Sequence, residues 1–585
     1  MSKKKSHSDG YRFLNCQKVK NFANLIFLYN FALEKNTLLI VKKTAFLLIL
    51  LLCVLQTVNA QTQDTTKTNG RKIEIVNSNT LEVDEYHGAD VKVLKGDVQF
   101  YHDSASMFCD SALYNSKENK FRAYGRVHMY RLVEQKDTVH LWGDSLDYDG
   151  ATRFARLREN VKMVKDSMTM LTDNIDYDMA KNYANYFNGG TTFTGEDTLI
   201  SELGYFYPKT NDLVYNKDVV VHNPKYVMYS DTLTHNIKSK ISTFLGPTEI
   251  VGDSNYLYSE RGWYNHIKDE CQLTKKSLLI SKEHRLSGDT VMFFRNEKYG
   301  IGRSRVEITD TVQNVKLKGN EARYYEVPEK SLLTDSALMI YFSKKDTMYL
   351  HADTIISVTD TLFEQKDTTV YRIIRAYSHA KMFRRDIQTM CDSLVYNMSD
   401  SIITMHKTPV IWHLENQITA KMIKLYTTGN TIDMVEMLGN AFVSQQVDSV
   451  PRYNQITGKD MIAYLDSNMI QEVEVISDAA TIYYTMEDSI VTGMNTAASK
   501  DMDIFFEKGK MKRLWFYKNP KGTLYPLEGL TKRQSFLNGF VWYDSHRPYK
   551  PEDIFSWTKV TETVISNESI MKEEEEKRKE EEEWE

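Results

Sequence analysis

The sequence contains few residues that interrupt regular structure: 10 Pro and 26 Gly in 585 residues. It also lacks an HExxH motif, a closely spaced Cys/His cluster and a Gly-rich phosphate loop. Its net charge is −5 with both signs interspersed, which argues against a nucleic-acid surface. We therefore predict a protein that is not an enzyme, with no cofactor, no metal and no nucleic-acid partner.

Cysteine is scarce, and only Cys109, Cys271 and Cys391 follow residue 60. Three thiols allow at most one intramolecular disulfide. Cys109 and Cys391 share the context Cys-Asp-Ser, and we predict that they are small buried residues at the start of strands.

Aromatic residues are abundant instead, with 36 Tyr and 25 Phe. Together with Val, Ile and Thr they suit a pleated, half-buried surface, so the composition favours strands. The length is sufficient for several domains with ample apolar burial.

The N-terminal region has the pattern of a targeting signal. The apolar stretch 45–55 follows Lys42 and Lys43 and precedes small residues that end at Ala60. It is too short for the roughly 20 residues that a membrane span requires. We predict an export signal cleaved after Ala60, with residues 1–40 not translated, a linker at 61–71 and a periplasmic mature protein.

One short motif recurs along the chain: an Asp, usually followed by Ser or Thr, with apolar residues two and four positions later. We interpret the Asp as a turn cap and the two apolar residues as one face of a strand, with the position between them in water. Degenerate copies begin at Glu202 and Asp231. The clear copies begin at Asp110, Asp144, Asp173, Asp289, Asp335, Asp392 and Asp460.

A second strand type places a turn residue before alternating apolar positions, as at Gly96, Gly125 and Asn160. Strands that alternate in this way predict an all-β fold. His128, His140, His351 and His379 fall in these strands and are predicted to be solvated. The candidate interior track is Val98, Phe100, Val127, Met129, Leu146, Tyr148, Val161, Met163, Ile175, Tyr177, Val291, Phe293, Leu394, Tyr396, Ile462 and Tyr464.

Longer similar segments indicate an internal duplication, since residues 136–146, which contain Asp144, match residues 345–355, which contain Asp353. We predict a first module at 72–330 and a second at 331–506, joined by a continuous sheet. A C-terminal cap at 507–560 should pack an aromatic cluster over the last open strand, ahead of a charged tail at 561–585. That cluster is Phe536, Phe540, Trp542 and Tyr543.

These motifs resemble the OstA/LptA-like (organic-solvent-tolerance) family over about residues 72–555. The closest stretch is 375–425, with Cys-Asp-Ser-Leu-Val-Tyr-Asn at 391–397 and Thr-Pro-Val-Ile-Trp at 408–412. Leu-Asn-Gly-Phe-Val-Trp at 537–542, followed by Arg547-Pro548, also resembles larger members of the family. The resemblance implies an extended, twisted antiparallel β-jelly-roll of tandem repeats, in which two sheets form a V with an apolar interior. This chain is longer than the smallest members of the family and lacks the barrel-forming half of the largest. The resemblance therefore does not indicate which member of the family it corresponds to in function.

The resemblance also implies a function: lipopolysaccharide binding and transport during outer-membrane assembly, with acyl chains sheltered along the interior track. Removing a methylene group from water is favourable by ~0.8 kcal/mol, so an apolar trough would greatly lower the free energy of acyl chains that otherwise face water. The implied partners are lipopolysaccharide or a related lipid, other jelly-roll proteins of the transport machinery, and further copies joined end to end. The alternative is a non-catalytic surface adhesin, filament or carbohydrate-binding β-solenoid, although the polar segment 134–138 favours hairpins over solenoid coils.

Overall fold

Among the described residues up to Pro526, antiparallel strands follow one another along the chain, most of them joined by short turns. The computed structural model describes residues 72–557, except for 84–87, 135–136, 343–345, 364–367, 430, 449, 489 and 508–509, and a few positions between 565 and 582. The predicted export signal and linker therefore lie outside the described residues. Within the described part, no helix has the length and apolar character needed to cross a membrane.

Thirty-eight of the strands form one sheet in which every pairing is antiparallel, which confirms the predicted all-β jelly-roll class and excludes the parallel coils of a solenoid. The strands of the first half are β1 (Glu74–Asn77), β2 (Thr80–Val83), β3 (Val91–His102), β4 (Ala105–Asn115), β5 (Lys120–Glu134), β6 (Asp137–Asp149), β7 (Phe154–Lys165), β8 (Met168–Asp178), β9 (Tyr183–Tyr186), β10 (Gly190–Thr194), β11 (Asp197–Ser201), β12 (Leu203–Tyr207), β13 (Asp212–Asn223), β14 (Tyr226–Asn236), β15 (Ile241–Gly252), β16 (Asn255–Asn265), β17 (Glu270–Lys275), β18 (Ser277–Ser281), β19 (His284–Gly288) and β20 (Thr290–Phe294).

The second half continues in the same manner and ends in short 3₁₀ turns at Lys532–Ser535, Asp544–His546 and Pro551–Phe555. Its strands are β21 (Tyr299–Asp310), β22 (Val315–Glu326), β23 (Glu329–Phe342), β24 (Thr347–Phe363), β25 (Thr368–Phe383), β26 (Ile387–Asn397), β27 (Ile402–His406), β28 (Val410–His413), β29 (Asn416–Thr419), β30 (Met422–Thr428), β31 (Thr431–Gln446), β32 (Tyr453–Asp466), β33 (Met469–Ile476), β34 (Ala479–Glu487), β35 (Ile490–Ser499), β36 (Asp501–Glu507), β37 (Lys510–Tyr517), β38 (Lys521–Pro526), β39 (Val541–Trp542) and β40 (Ile565–Ser566).

Each long strand bends near its middle, and the bends line up across the sheet. In the pairing of β3 with β4, the register shifts between Lys95 and Val98, where two residues of β3 face Asp110 of β4. The halves on either side of the bend form two layers whose inward side chains share one hydrophobic cluster. We call the layer that holds 91–95 and 111–115 layer 1, and the layer that holds 98–102 and 105–109 layer 2.

The recurring Asp lies at this bend, so its interpretation as a turn cap is wrong. Asp110 faces Gly125 and Arg126, both left-handed with φ of 74° and 42°. A Cβ on Gly125 would lie 2.6 Å from the Asp110 carboxylate, and Arg126 donates to that carboxylate at 2.6 Å. Asp289 repeats the ion pair with Arg305 at 2.6 Å. The motif thus marks a β-bulge that turns the long strands from one layer into the other.

The turns are capped by other residues, which lie at the ends of the strands. Asn115 Oδ1 accepts hydrogen bonds from the backbone N–H groups of Lys117 and Glu118. Asp149, Asn236, Asn265 and Asp310 repeat the arrangement. This is the Asx-turn chemistry that short polar side chains provide.

Two copies of the motif depart from the predicted placement. Asp335 and Ser336 are both left-handed, with φ of 58° and 65°, so they occupy the two-residue side of a bend, opposite Asp353. In the last copy Lys459 takes the unpaired position, whereas Asp460 is paired with Leu438. This one-residue shift turns the following side chains to the other face of the strand.

The C-terminal segment 531–557 lies across the outer face of layer 2. Gln455 pairs with the backbone of Ser535 and Leu537, and Gln417 pairs in the same way with Val541 and Tyr543. The predicted aromatic cluster packs here: Phe536, Phe540 and Trp542 on Phe442 and Tyr453, and Tyr543 on Trp412. It therefore covers a sheet face and not the last open strand.

The sheet runs through the predicted junction at residue 330, where β22 and β23 pair along their length. Residues Lys72–Glu585 form one compact unit, and the division into two modules stays a prediction. Two further strands, β37 and β38, carry the sheet past residue 506, where the predicted cap was to begin. Cys109, Cys271 and Cys391 are buried free thiols. Burial was predicted for Cys109 and Cys391, but they lie inside β4 and β26 and not at the start of a strand.

Candidate functional site

The predicted interior track lies between the two layers for most of its length. Tyr396 is half-buried and packs against the same cluster as the others. Ile462 and Tyr464 are the exception: they lie on the opposite face, and Met461 and Ala463 point inward instead. The remaining thirteen side chains are at most 2% exposed: Val98, Phe100, Val127, Met129, Leu146, Tyr148, Val161, Met163, Ile175, Tyr177, Val291, Phe293 and Leu394.

Opposite the bends, the edges of the two layers meet along a seam that polar side chains close. His102 Nδ1 and the Tyr148 hydroxyl share a hydrogen bond of 2.7 Å between the layers. Further along, Arg131 donates to the carbonyl of Met179 at 2.9 Å. Such contacts between buried polar groups hold the edges together and seal the apolar interior.

The same kind of contact recurs toward the middle of the chain. His266 Nδ1 lies 3.0 Å from Asp197 Oδ2, and Arg295 donates to the side chain of Asn255 at 2.7 Å. Lys165, whose side chain is fully buried, donates to Asn211 at 2.5 Å. Each contact joins a residue of layer 1 to a residue of layer 2.

The strongest closure is a buried charge cluster around Arg372. Its Nη2 lies 2.6 Å from Asp310 and 3.1 Å from Glu329, and both Arg372 and Asp310 are 4% exposed. Burial tends to raise the pKa of Asp310, but hydrogen bonds from His284 and the Gln313 backbone and the charge of Arg372 outweigh it. They lower the pKa of the Asp310 carboxyl to about 2.

This pKa predicts how stability depends on pH. Because the carboxyl is more acidic in the folded protein than in the unfolded chain, its contribution is complete above the unfolded value of about 3.9. The contribution should be lost as the pH falls from there to about 2. Urea midpoints measured across this window should fall for the wild-type protein. The slope should be shallower for Asp310→Asn, and equal slopes would contradict the assignment.

Beyond Arg372 the seam opens into a cleft of about 510 Å³. Layer 2 supplies Met348 and the turn at Arg384, Arg385 and Asp386, and layer 1 supplies Tyr396. The described residues that line it are Tyr341, Asp346, Met348, Arg384, Arg385, Asp386, Tyr396, Ile403, Leu414, Thr427, Gly429, Thr431 and Asn468. The volume lies in the range of about 300–1,000 Å³ that is typical of ligand pockets.

The cleft combines an apolar floor with a charged rim. Tyr341 and Tyr396 pack against the core, and Met348 and Ile403 belong to it with 8% and 7% exposure. On the rim Arg384 holds Asp386 through two hydrogen bonds of 2.5 and 2.9 Å, whereas Arg385 is exposed. Burial is the main cause that raises the pKa of Tyr396, so its hydroxyl stays neutral. An amphiphile with an apolar chain and an anionic group matches this arrangement.

Sequence reasoning found Tyr396 but missed the other residues of the cleft. Met348, Arg385 and Leu414 lie in or beside three different turns, and no shared spacing connects them. Across the part of the chain that the structure describes, no three His, Cys, Asp or Glu side chains form a metal-binding group. The four histidines that the sequence analysis singled out lie on strands, and His128 and His140 contact each other.

Residues 70–231 match the family model described as OstA-like protein. Among solved structures, one similar chain is LptH, described as "the LptA homologous periplasmic component of the conserved lipopolysaccharide transport device from Pseudomonas aeruginosa". It is 18% identical over 20% of this chain and 81% of its own, with a TM-score of 0.18. No curated protein matches the chain. Residues 70–231 of this all-β protein are thus similar to the OstA-like family.

Proposed function

We propose that the protein binds lipopolysaccharide or a related acylated, anionic lipid at the cleft around Tyr396, without catalysis. The observation that carries the proposal is the opening of the seam, where core side chains of the jelly-roll line a cleft beside two arginines. The match of residues 70–231 to the OstA-like family model supports a role in lipopolysaccharide transport.

The floor and the rim each match one part of such a lipid. Met348, Ile403 and Tyr396 would take up an acyl chain, since each methylene removed from water contributes ~0.8 kcal/mol. Arg385 would face a phosphate or carboxylate, because a planar guanidinium can donate two parallel hydrogen bonds to such a group. The sealed part of the track would become accessible to lipid only if the layers separated.

Location and partners form the second part of the proposal. The protein would be exported, cleaved after Ala60 and held in the periplasm, where it would meet lipid and other jelly-roll proteins of the transport machinery. Intact-mass analysis of the mature protein checks this, since its first residue should be Gln61. A product that retains residues 1–40 would contradict it.

Photo-crosslinking in living cells tests the lipid-binding proposal. A photoreactive amino acid at Tyr396 should capture lipopolysaccharide, because this side chain opens to the cleft. The probe at Tyr177, which is 1% exposed behind the closed seam, should capture none. Val395 provides the matched control, since it neighbours Tyr396 but faces the opposite side of β26.

Two outcomes would overturn the lipid-binding proposal. Equal lipid capture at Val395 and Tyr396 would indicate a sticky surface without a specific cleft. Capture of protein alone at Tyr396 would favour the adhesin or filament alternative.

A further inference from the structure

The C-terminal segment 531–557 contacts the rim of the cleft as well as the outer face of layer 2. Arg547 makes this contact, directly after the 3₁₀ turn at Asp544–His546. Because Pro548 comes next, the backbone of Arg547 is restricted to the extended region, and its φ and ψ are −66° and 125°. Neither the proposed lipid binding nor the family match at 70–231 gives this contact a role.

The guanidinium of Arg547 joins two neighbouring turns of layer 2. Its Nε donates to Oε1 of Gln388 at 2.9 Å, and its Nη2 donates to the carbonyl of Leu414 at 2.9 Å. Gln388 follows the turn between β25 and β26, and Leu414 lies in the turn between β28 and β29. Both turns line the cleft. One side chain of the C-terminal segment therefore holds both parts of the rim that layer 2 supplies.

Gln388 connects Arg547 to the backbone of the charged turn. Its Nε2 donates to the carbonyls of Arg384 and Arg385 at 2.8 and 3.2 Å, and the residue is 4% exposed. A Gln amide has one acceptor oxygen and one NH₂ donor group, whereas a guanidinium can only donate. Arg547 thus fixes the direction of the amide, with its oxygen toward the guanidinium and its NH₂ group toward the turn.

The position of Arg385 depends on this arrangement. The backbone of the turn supplies two hydrogen bonds of its own, between Arg384 and Ile387 at 2.9 and 3.2 Å. The carbonyl of Arg385 is bonded by the side chain of Gln388 instead. Because the Arg385 side chain is exposed, the backbone of the turn sets where its guanidinium can reach.

We propose that Arg547 is a positioning residue for the cleft, which holds the two rim turns so that Arg385 faces the anionic group of the bound lipid. The inference rests on the proposed lipid binding, which supplies the ligand. It requires the planar guanidinium and not only a positive charge, because a Lys ammonium lacks the rigid fork that reaches two acceptors in a fixed geometry. Arg547→Lys should therefore behave like Arg547→Ala.

Hydrogen exchange of the lipid-free, full-length mature protein tests the effect on the rim. In Arg547→Lys and Arg547→Ala, the amides of Arg384 and Ile387 should exchange about tenfold faster, as expected when a hydrogen bond from a charged donor is lost. Gln455→Ala is the matched control, since it loosens the other end of the C-terminal segment and should leave these rates unchanged. Wild-type rates in both Arg547 variants, or equal acceleration in Gln455→Ala, would overturn the proposal.

Binding of purified lipopolysaccharide tests the effect on the ligand. Both Arg547 variants should bind about tenfold more weakly than the wild type, because a charge-assisted hydrogen bond from Arg385 is lost. The ratio should persist at high salt, where simple charge attraction is screened. Gln455→Ala should bind like the wild type.

The two measurements separate failure of this inference from failure of the proposed function. Wild-type affinity in Arg547→Lys would overturn the inference, because charge alone would then suffice. A wild-type protein that binds no lipopolysaccharide would overturn the proposed function, and the exchange rates would still decide whether Arg547 holds the rim.

Discussion

Replacement of Arg372 by Ala is expected to lower the free energy of unfolding by about 3–5 kcal/mol. The change leaves the Asp310 and Glu329 carboxylates at the seam without the guanidinium that they share, and Asp310 is 4% exposed. Removal of one partner of a buried ion pair strands the other charge in a poorly solvating environment. Chemical denaturation followed by circular dichroism measures the effect.

Arg305→Ala is the matched control for this prediction. Arg305 also forms an ion pair at 2.6 Å, with Asp289, but its side chain is 84% exposed at a bend. Water and salt screen such a pair, so its loss should leave the denaturation midpoint unchanged within error. If both variants had the same midpoint, the seam would not hold the layers together.

Ile175→Asp is expected to destabilise the protein by at least about 3 kcal/mol, because it places an unpaired charge in the core. Ile175 is 1% exposed and packs between the layers from β8. Leu171 lies on the same strand, but beyond the bend and on the outer face, where it is 42% exposed. Leu171→Asp should stay within about 0.5 kcal/mol of the wild type.

The comparison of these two substitutions tests the path of the strand through the bend. Their positions differ by an even number of residues, so a straight strand would place both side chains on one face. The bulge at Asp173 separates them. A large effect at Leu171, or a small effect at Ile175, would show that the bend lies elsewhere.

The closed seam limits the proposed function of the first half of the sheet. Contacts such as His102–Tyr148 and Arg372–Asp310 seal the interior from β3 to β25, and the side chains of the track fill it. A lipid would meet a packed core there, whereas the seam opens into a cleft near Tyr396. The N-terminal half of the sheet would then serve as a scaffold unless its layers separate.

Some features follow from local sequence alone. The burial of Leu146, Tyr148 and Ile175 could be predicted because side chains alternate across a strand with a period of two. The repeat likewise predicted an all-β chain, since it recurs with strand spacing and few Pro or Gly interrupt it.

Other features depend on the pairing of distant strands. The sequence suggests a turn cap at Asp110 because its partner, Arg126, lies on the next strand and only the register brings them together. Because of the shift at Lys459, Met461 and not Ile462 points into the interior. A shift of one residue turns every later side chain of the strand to the opposite face. Arg372 and Asp310 form an ion pair between the two layers, and no regular sequence spacing predicts their contact. The cleft opens where such pairs end. Which residues form strands and which of them alternate inward can be read from the sequence, because those preferences act between near neighbours. The positions of the bends, the polar groups that close the seam and the place where it stays open appear only in the folded protein, because they depend on contacts between residues far apart in the chain.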